Sequence, residues 1–166
     1  MSNTLIITLE MEPKYQQYFN AVRKQYFPSH ANYLDAHITL FYHLPVGETS
    51  INDILATAAK RKELILTVEG LRNFGTGVAY RLVSDELQAL HVTLQAAFEP
   101  WLVKQDRQLL RPHITIQNKV TAFKAQQLYE QLQEEFTPFD IKTVGFKTWL
   151  YLKGPWKARE YHAFSQ

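Results

Sequence analysis

The chain has 166 residues, enough for one domain or two small lobes sharing a core, and its 46% hydrophobic and 20% charged residues are those of a globular protein. It contains no cysteine, which excludes a disulfide framework, a thiol nucleophile, a zinc ribbon and a cysteine-ligated cluster. Eighteen Lys and Arg against sixteen Asp and Glu give a net charge of +2, far from the basic profile of a dedicated nucleic-acid-binding domain. No run approaches the roughly 18 consecutive apolar residues of a membrane span. Met1 to Glu10 has no basic region and only the short apolar run Leu5-Ile6-Ile7. A cytoplasmic location is therefore the expectation, and with no coiled-coil or dimer signal a monomer is the default.

Asn3 to Glu10 reads as a strand. Pro13 opens a helix whose residues Tyr15, Tyr18, Phe19, Val22 and Tyr26 recur at helical spacing, with Pro28 just beyond its end. Asp35 to His43 is β-like and closes at Leu44-Pro45. Ser50 with Asp53 resembles a capping box for a helix carrying Ile51, Ile54, Leu55 and Ala58. Leu64 to Leu71 and Val78 to Val83 read as strands joined by a turn at Phe74-Gly75-Thr76-Gly77. Ser84 is the expected N-cap of a helix with the stripe Leu87, Leu90, Leu94, Ala97, Phe98, Trp101. Arg111 to Gln117 is a strand, and Thr121 caps a helix turning Ala125, Leu128, Leu132 and Phe136 inward. Phe139 to Tyr151 and Arg159 to Phe164 supply two more strands. The order β-α-β-α-β-β-α-β-α-β-β predicts a mixed α/β fold (α+β type), residues 1–166 forming a single domain. A His-bearing strand followed by a helix occurs once in each half, which points to two pseudo-symmetric lobes of largely antiparallel sheet with helices packed outside.

The informative feature is a His-apolar-Thr-apolar pattern. It occurs as His37-Ile38-Thr39-Leu40, His91-Val92-Thr93-Leu94 and His113-Ile114-Thr115-Ile116, where chance gives roughly 0.1 matches in such a chain. Backbone period separates the copies. Residues i and i+2 share a face on a strand and diverge on a helix. His37 with Thr39, and His113 with Thr115, therefore share strand faces, whereas His91 lies on the apolar face of a helix and Thr93 points away. His91 reads as a packed or rim histidine and its match as a decoy. If the lobes meet along their histidine faces, two imidazoles and two hydroxyls converge, a set suited to phosphoester chemistry. One imidazole removes a proton from the attacking oxygen, the other donates to the leaving oxygen, and the hydroxyls bind non-bridging phosphate oxygens.

The pair of motifs resembles the two signatures of the 2H phosphoesterase superfamily, the group of bacterial 2'-5' RNA ligase-like proteins and cyclic nucleotide phosphodiesterases. The stretch Val68-Glu69-Gly70-Leu71-Arg72-Asn73-Phe74-Gly75 with Val78-Ala79-Tyr80, and Arg111-Pro112 before the second motif, are similar as well. The resemblance implies a bilobal fold with the cleft between the lobes and no metal or other cofactor. It implies opening of a 2',3'-cyclic phosphate, or another 2'-linked phosphodiester, on RNA ends or nucleotides, with His37, Thr39, His113 and Thr115 in the catalytic positions. An Arg commonly follows the second motif in the ligase-like branch. Here Gln117-Asn118-Lys119 stand there, and Lys119 is the candidate substitute.

Around this set, Lys104, Arg107, Arg111 and Lys119 are candidate phosphate contacts, with Asp106 the acid among them. Strict alternation puts Phe41 on the face of His37 and Thr39, where it becomes the candidate for stacking on a base. Tyr80, Trp149, Tyr151 and Trp156 are further aromatic candidates. Two histidines without Asp, Glu or Cys at ligand spacing make a poor metal site. The alternatives to a hydrolase are a non-catalytic module binding RNA ends or a nucleotide, and a ligase running the same chemistry in reverse.

Overall fold

A computed structural model describes residues 3–166; of the opening segment read for a leader, Met1 and Ser2 lie outside it. The elements alternate as the periodicity predicts. They are β1 (Thr4–Met11), α1 (Pro13–Tyr26), β2 (Ile38–Pro45), α2 (Ser50–Ala58), β3 (Leu64–Asn73), β4 (Val78–Val83), α3 (Asp85–Phe98), β5 (His113–Gln117), α4 (Ala122–Glu135), β6 (Phe139–Tyr151) and β7 (Trp156–Ala163). Short 3-10 turns lie at Ser29–Ala31, Glu99–Trp101 and Lys104–Arg107.

Local chemistry accounts for most helix starts. Pro13 opens α1, where a missing N–H costs nothing. The Ser84 hydroxyl accepts from the Leu87 N–H at 3.0 Å and the Thr121 hydroxyl from the Lys124 N–H at 3.2 Å. The capping box expected at Ser50 does not form. Ser50 is already the first helical residue, and its hydroxyl donates to Glu48 at 2.8 Å instead. The β3–β4 turn is made by Gly75 at φ +99°, whose N–H donates to the Asn73 side chain at 2.9 Å.

The seven strands make one antiparallel sheet in the order β2-β1-β6-β3-β4-β5, with β7 also paired to β6. β6 is the spine that joins the two lobes. β1 runs along one of its edges, while β3 pairs with its first half and β7 with its second half on the other. Glu10 pairs with Gly145 and Met11 with Thr143, so the extra residue Val144 bulges where β6 passes from one lobe to the other. β2 and β5 stand at opposite ends of the strand order and nevertheless touch. Only a strongly coiled sheet allows that, and register shifts in β1–β2, β3–β4, β4–β5 and β6–β7 supply the coiling.

The helices seal the apolar face. Phe19 of α1 lies 5.6 Å from the Tyr80 ring and 6.3 Å from Phe139, and α3 buries Leu87, Leu94 and Phe98. Phe19, Phe41, Phe98 and Phe146 are fully buried, each contributing about 2 kcal/mol by area removed from water. The other face carries the polar residues in fixed register. Thr39, Thr8 and Lys147 are successive cross-strand neighbours, as are Arg72, Ala79 and Thr115, and His113 stands opposite Arg81. No helix among the described residues is long and apolar enough to cross a membrane.

Candidate active site

His113 opens β5, and His37 stands one residue before β2. The two share one local geometry. His37 Nδ1 lies 2.7 Å from the carbonyl of Asp35, and His113 Nδ1 lies 2.9 Å from that of Arg111, each two residues upstream. A carbonyl only accepts, so each Nδ1 carries its proton and each Nε2 is left for other chemistry. The repeated His-apolar-Thr-apolar pattern is thus accompanied by a matched anchoring of two imidazoles on two strands that touch. Thr39 and His113 line one cavity of about 290 Å³, and His113 and Thr115 a larger one of about 620 Å³. Arg72 and Arg111 line both, while His37 lines a third of about 280 Å³ together with Trp149 and Trp156.

The surroundings of His37 set its charge. Burial pulls the His37 imidazole down from its ordinary 6.5 to about 4. The bond to the Asp35 carbonyl opposes that fall, the Arg23 guanidinium and His113 add to it, and the Asp35 carboxylate opposes it. His37 is therefore neutral at physiological pH, with a free Nε2 acceptor. Arg81 is paired with Glu69 at 2.9 Å, but Arg72 and Arg111 are in no ion pair among the described residues and are available to an anion.

Several supporting residues were not legible as such in the sequence. Gln16, Asn20 and Arg23 form a polar stripe on α1 beneath both motifs. Asn20 Oδ1 accepts from the Ala36 N–H at 2.8 Å, and Gln16 Nε2 donates to the Ala36 carbonyl at 2.7 Å, fixing the residue before His37. Arg23, 3% exposed, donates through Nη1 to the Thr115 carbonyl at 2.8 Å and through Nε to Asn32 at 3.1 Å. Burial lowers Arg23 to about 10, with Asp35 opposing, so it stays cationic at neutral pH. The i, i+4, i+7 spacing of these three was visible; the burial of Arg23 and the half-burial of Gln16 and Asn20 were not.

Phe41 is a correction. Alternation puts it beside His37 and Thr39, but Ile7 pairs with Phe41 and the next residue of β1, Thr8, pairs with Thr39. The extra residue, Leu40, bulges and shifts the phase by one, sending Phe41 into the core. Its ring is fully buried, stacked on His91 at 4.6 Å and edge-on to Phe98 at 5.1 Å, with no face left for a base. Remote groups satisfy the disturbed backbone. His91, buried on α3 as helical phase predicts, donates from Nε2 to the Leu40 carbonyl at 2.9 Å. The Asp106 carboxylate accepts from the N–H groups of Tyr42 and His43, both at 2.9 Å. Asp106 is therefore a buried structural acid rather than part of a solvated charge cluster.

Of the remaining candidates, Arg111 lies at the junction of the two cavities that His113 lines. Lys119 sits exposed in the turn after β5 at φ +61°, and it is Asn118 that lines the cavity of His113 and Thr115. Arg107 is paired with Glu99. Tyr80 is a core residue, whereas Trp156 stands with its ring centroid 4.7 Å from that of His37. His43 is exposed and shares a 3.0 Å hydrogen bond with Thr4, and His162 donates to Asn52 at 3.0 Å. Among the described residues no group of three or more His, Asp or Glu is placed to hold a metal ion.

Comparison with solved structures gives whole-length matches. The protein TT0787 of Thermus thermophilus superimposes with a TM-score of 0.67 at 15% identity, covering 97% of both chains. LigT of E. coli in complex with 3'-AMP gives 0.59 at 17% identity, and a protein described as a phosphoesterase gives 0.60 at 14%, each covering 100% of both chains. At these identities the likeness is one of fold. No curated protein matches the sequence. The sequence itself fits the 2'-5' RNA ligase superfamily across residues 11–154, a span that holds both histidine motifs and the strands between them. The chain therefore belongs to the 2'-5' RNA ligase superfamily, with the 2H phosphoesterase fold.

Proposed function

We propose that the chain, working as one unit, hydrolyses 2',3'-cyclic phosphates or related 2'-linked phosphodiesters of RNA ends or nucleotides, with His37 as base and His113 as acid. The observation that carries this reading is the matched anchoring of the two imidazoles, each with Nδ1–H held by a carbonyl and Nε2 unclaimed among the described residues. As the oxygen of water attacks phosphorus, its proton passes to Nε2 of neutral His37. The bond from phosphorus to the leaving oxygen breaks as His113, in its imidazolium form, gives that oxygen the Nε2 proton. The product is a phosphomonoester and a free hydroxyl, and proton exchange with solvent resets the pair. The Thr39 and Thr115 hydroxyls donate to the non-bridging oxygens, and Arg72 and Arg111 offset their charge. No step asks for a metal.

The test is turnover of 2',3'-cyclic nucleotides in excess chelator. His37→Ala and His113→Ala are each expected to lower kcat by about 10²- to 10⁴-fold, the range of general acid–base catalysis. The double variant is expected to be little worse than either, because the two act as one unit. A double variant with wild-type turnover refutes the assignment. Binding without product from the wild-type chain would make it a nucleotide-binding module instead.

A further inference from the structure

The cavity on the outer side of His37 differs from the arginine-lined cavities around His113. It is lined by Trp149, Trp156, Tyr33, Glu10, Asp35 and Lys147, with a volume of about 280 Å³. The Trp156 ring lies 4.7 Å from His37 and 6.0 Å from Trp149. Trp149 is pinned by its indole N–H, which donates to the Thr8 hydroxyl at 2.9 Å. Two half-buried indoles beside the imidazole give a planar ring a surface to stack on. The cavity's carboxylates, Glu10 and Asp35, repel a phosphate, whose place is on the side of Arg72 and Arg111.

The polar residues say which ring. Glu10 pairs with Gly145 and Thr8 with Lys147, so Glu10 and Lys147 are diagonal neighbours on one face of the β1–β6 ladder. They feel each other's charge, yet they form no ion pair with each other among the described residues, and the Lys147 ammonium lies over Trp149 at 4.4 Å. A carboxylate beside an ammonium asks for two N–H donors next to an acceptor on the ligand edge. Guanine presents that set as N1–H, N2–H and O6. Adenine and cytosine each set a ring-nitrogen acceptor beside a single amino group, and uracil flanks one N–H with two carbonyls.

We infer that this cavity is a base subsite selective for guanine, holding the base of the nucleotide whose phosphate lies between His37 and His113. Trp156 and Trp149 supply the stacking surface, Glu10 reads N1–H and N2–H, and Lys147 reads O6. The inference rests on the phosphodiester reading above for what sits at the histidines.

The experiment compares kcat/KM for the 2',3'-cyclic phosphates of guanosine, adenosine, cytidine and uridine. A parallel titration of tryptophan emission with 3'-GMP and 3'-AMP uses the His113→Ala chain. Guanosine is expected to lead by about tenfold or more, as one bidentate carboxylate–guanine contact provides. Glu10→Gln is expected to bring the guanosine-to-adenosine ratio close to one in both measurements. Trp149 and Trp156 are two of the three tryptophans, so emission reports the ligand whether or not turnover occurs. Equal kcat/KM and equal quenching for guanine and adenine would sink the subsite while leaving hydrolysis standing. Guanine-selective quenching with no turnover of any cyclic nucleotide would do the reverse. A guanosine preference that survives Glu10→Gln would also overturn the assignment.

Discussion

His37 makes a prediction whose size follows from its surroundings. The folded chain holds its imidazole near 4, against 6.5 for an ordinary histidine, because burial and two cationic neighbours disfavour the proton. Between those values the unfolded chain binds a proton that the folded chain refuses, so stability falls as the pH is lowered through the window. The full difference amounts to about 3 kcal/mol below pH 4, and integration from pH 7 to pH 5 gives about 2 kcal/mol. Urea denaturation at pH 7 and pH 5, on the wild type and on His37→Gln, isolates this contribution. Gln retains an N–H able to reach the Asp35 carbonyl but does not titrate. The other shifted groups, Glu10 raised and His91 lowered by burial, are common to both chains and cancel in the double difference. The variant is expected to keep about 2 kcal/mol that the wild type loses. Parallel losses in the two chains would refute the reasoning and mean that His37 takes up a proton freely. The kinetic counterpart is an acidic limb of kcat/KM near pH 4. Activity that holds steady or climbs as pH falls through 4 would remove His37 from the role of base.

Two further substitutions separate positioning from chemistry. Phe41→Ala removes a fully buried ring packed on His91 and Phe98 and is expected to destabilise the fold by about 4 kcal/mol in denaturant titration, whereas loss of a base-stacking surface would raise KM at unchanged stability. Arg23→Met removes charged hydrogen bonds to the Thr115 carbonyl and Asn32, at a cost of about 3 kcal/mol, and relieves His37 of a neighbouring cation, so the acidic limb is expected to move up; Arg23→Lys, which keeps the charge and loses the fork, is expected to leave that limb in place while still destabilising.

The alternation of elements and the helical phase of His91 were legible because they are local. Apolar spacing sets helix or strand, and the same spacing turned His91 inward on α3. The bulge at Leu40 was not legible. Nothing in Thr39-Leu40-Phe41 departs from a regular strand, and the extra residue is held by groups far away in sequence, His91 and Asp106. Phe41 therefore looked like a cleft aromatic and is a core one. The aromatics that do flank His37 come from β6 and β7, over a hundred residues downstream, through a register that the sequence does not carry.

The same observation explains why so many supports converge on two short motifs. Both histidine strands are terminal in the strand order, so each has a hydrogen-bonded ladder on one side only. An unpaired strand edge leaves N–H and carbonyl groups that must be satisfied and lets the strand slide. Side chains here do what a neighbouring strand does elsewhere: His91 takes the Leu40 carbonyl, Asp106 takes the N–H groups of Tyr42 and His43, and Arg23 takes the Thr115 carbonyl. α1 reaches both edges at once, through Gln16 and Asn20 at Ala36 and through Arg23 at Thr115. On the proposed reading, in which the two imidazoles act on one phosphorus, the distance between them is set by a helix that hydrogen-bonds to the backbone of both motifs. Displacements of about 1 Å at that distance are enough to cost two orders of magnitude in rate. Terminal strands leave both histidine motifs at open edges, and the polar stripe of α1, half-buried at Gln16 and Asn20 and buried at Arg23, is what keeps that openness from becoming looseness.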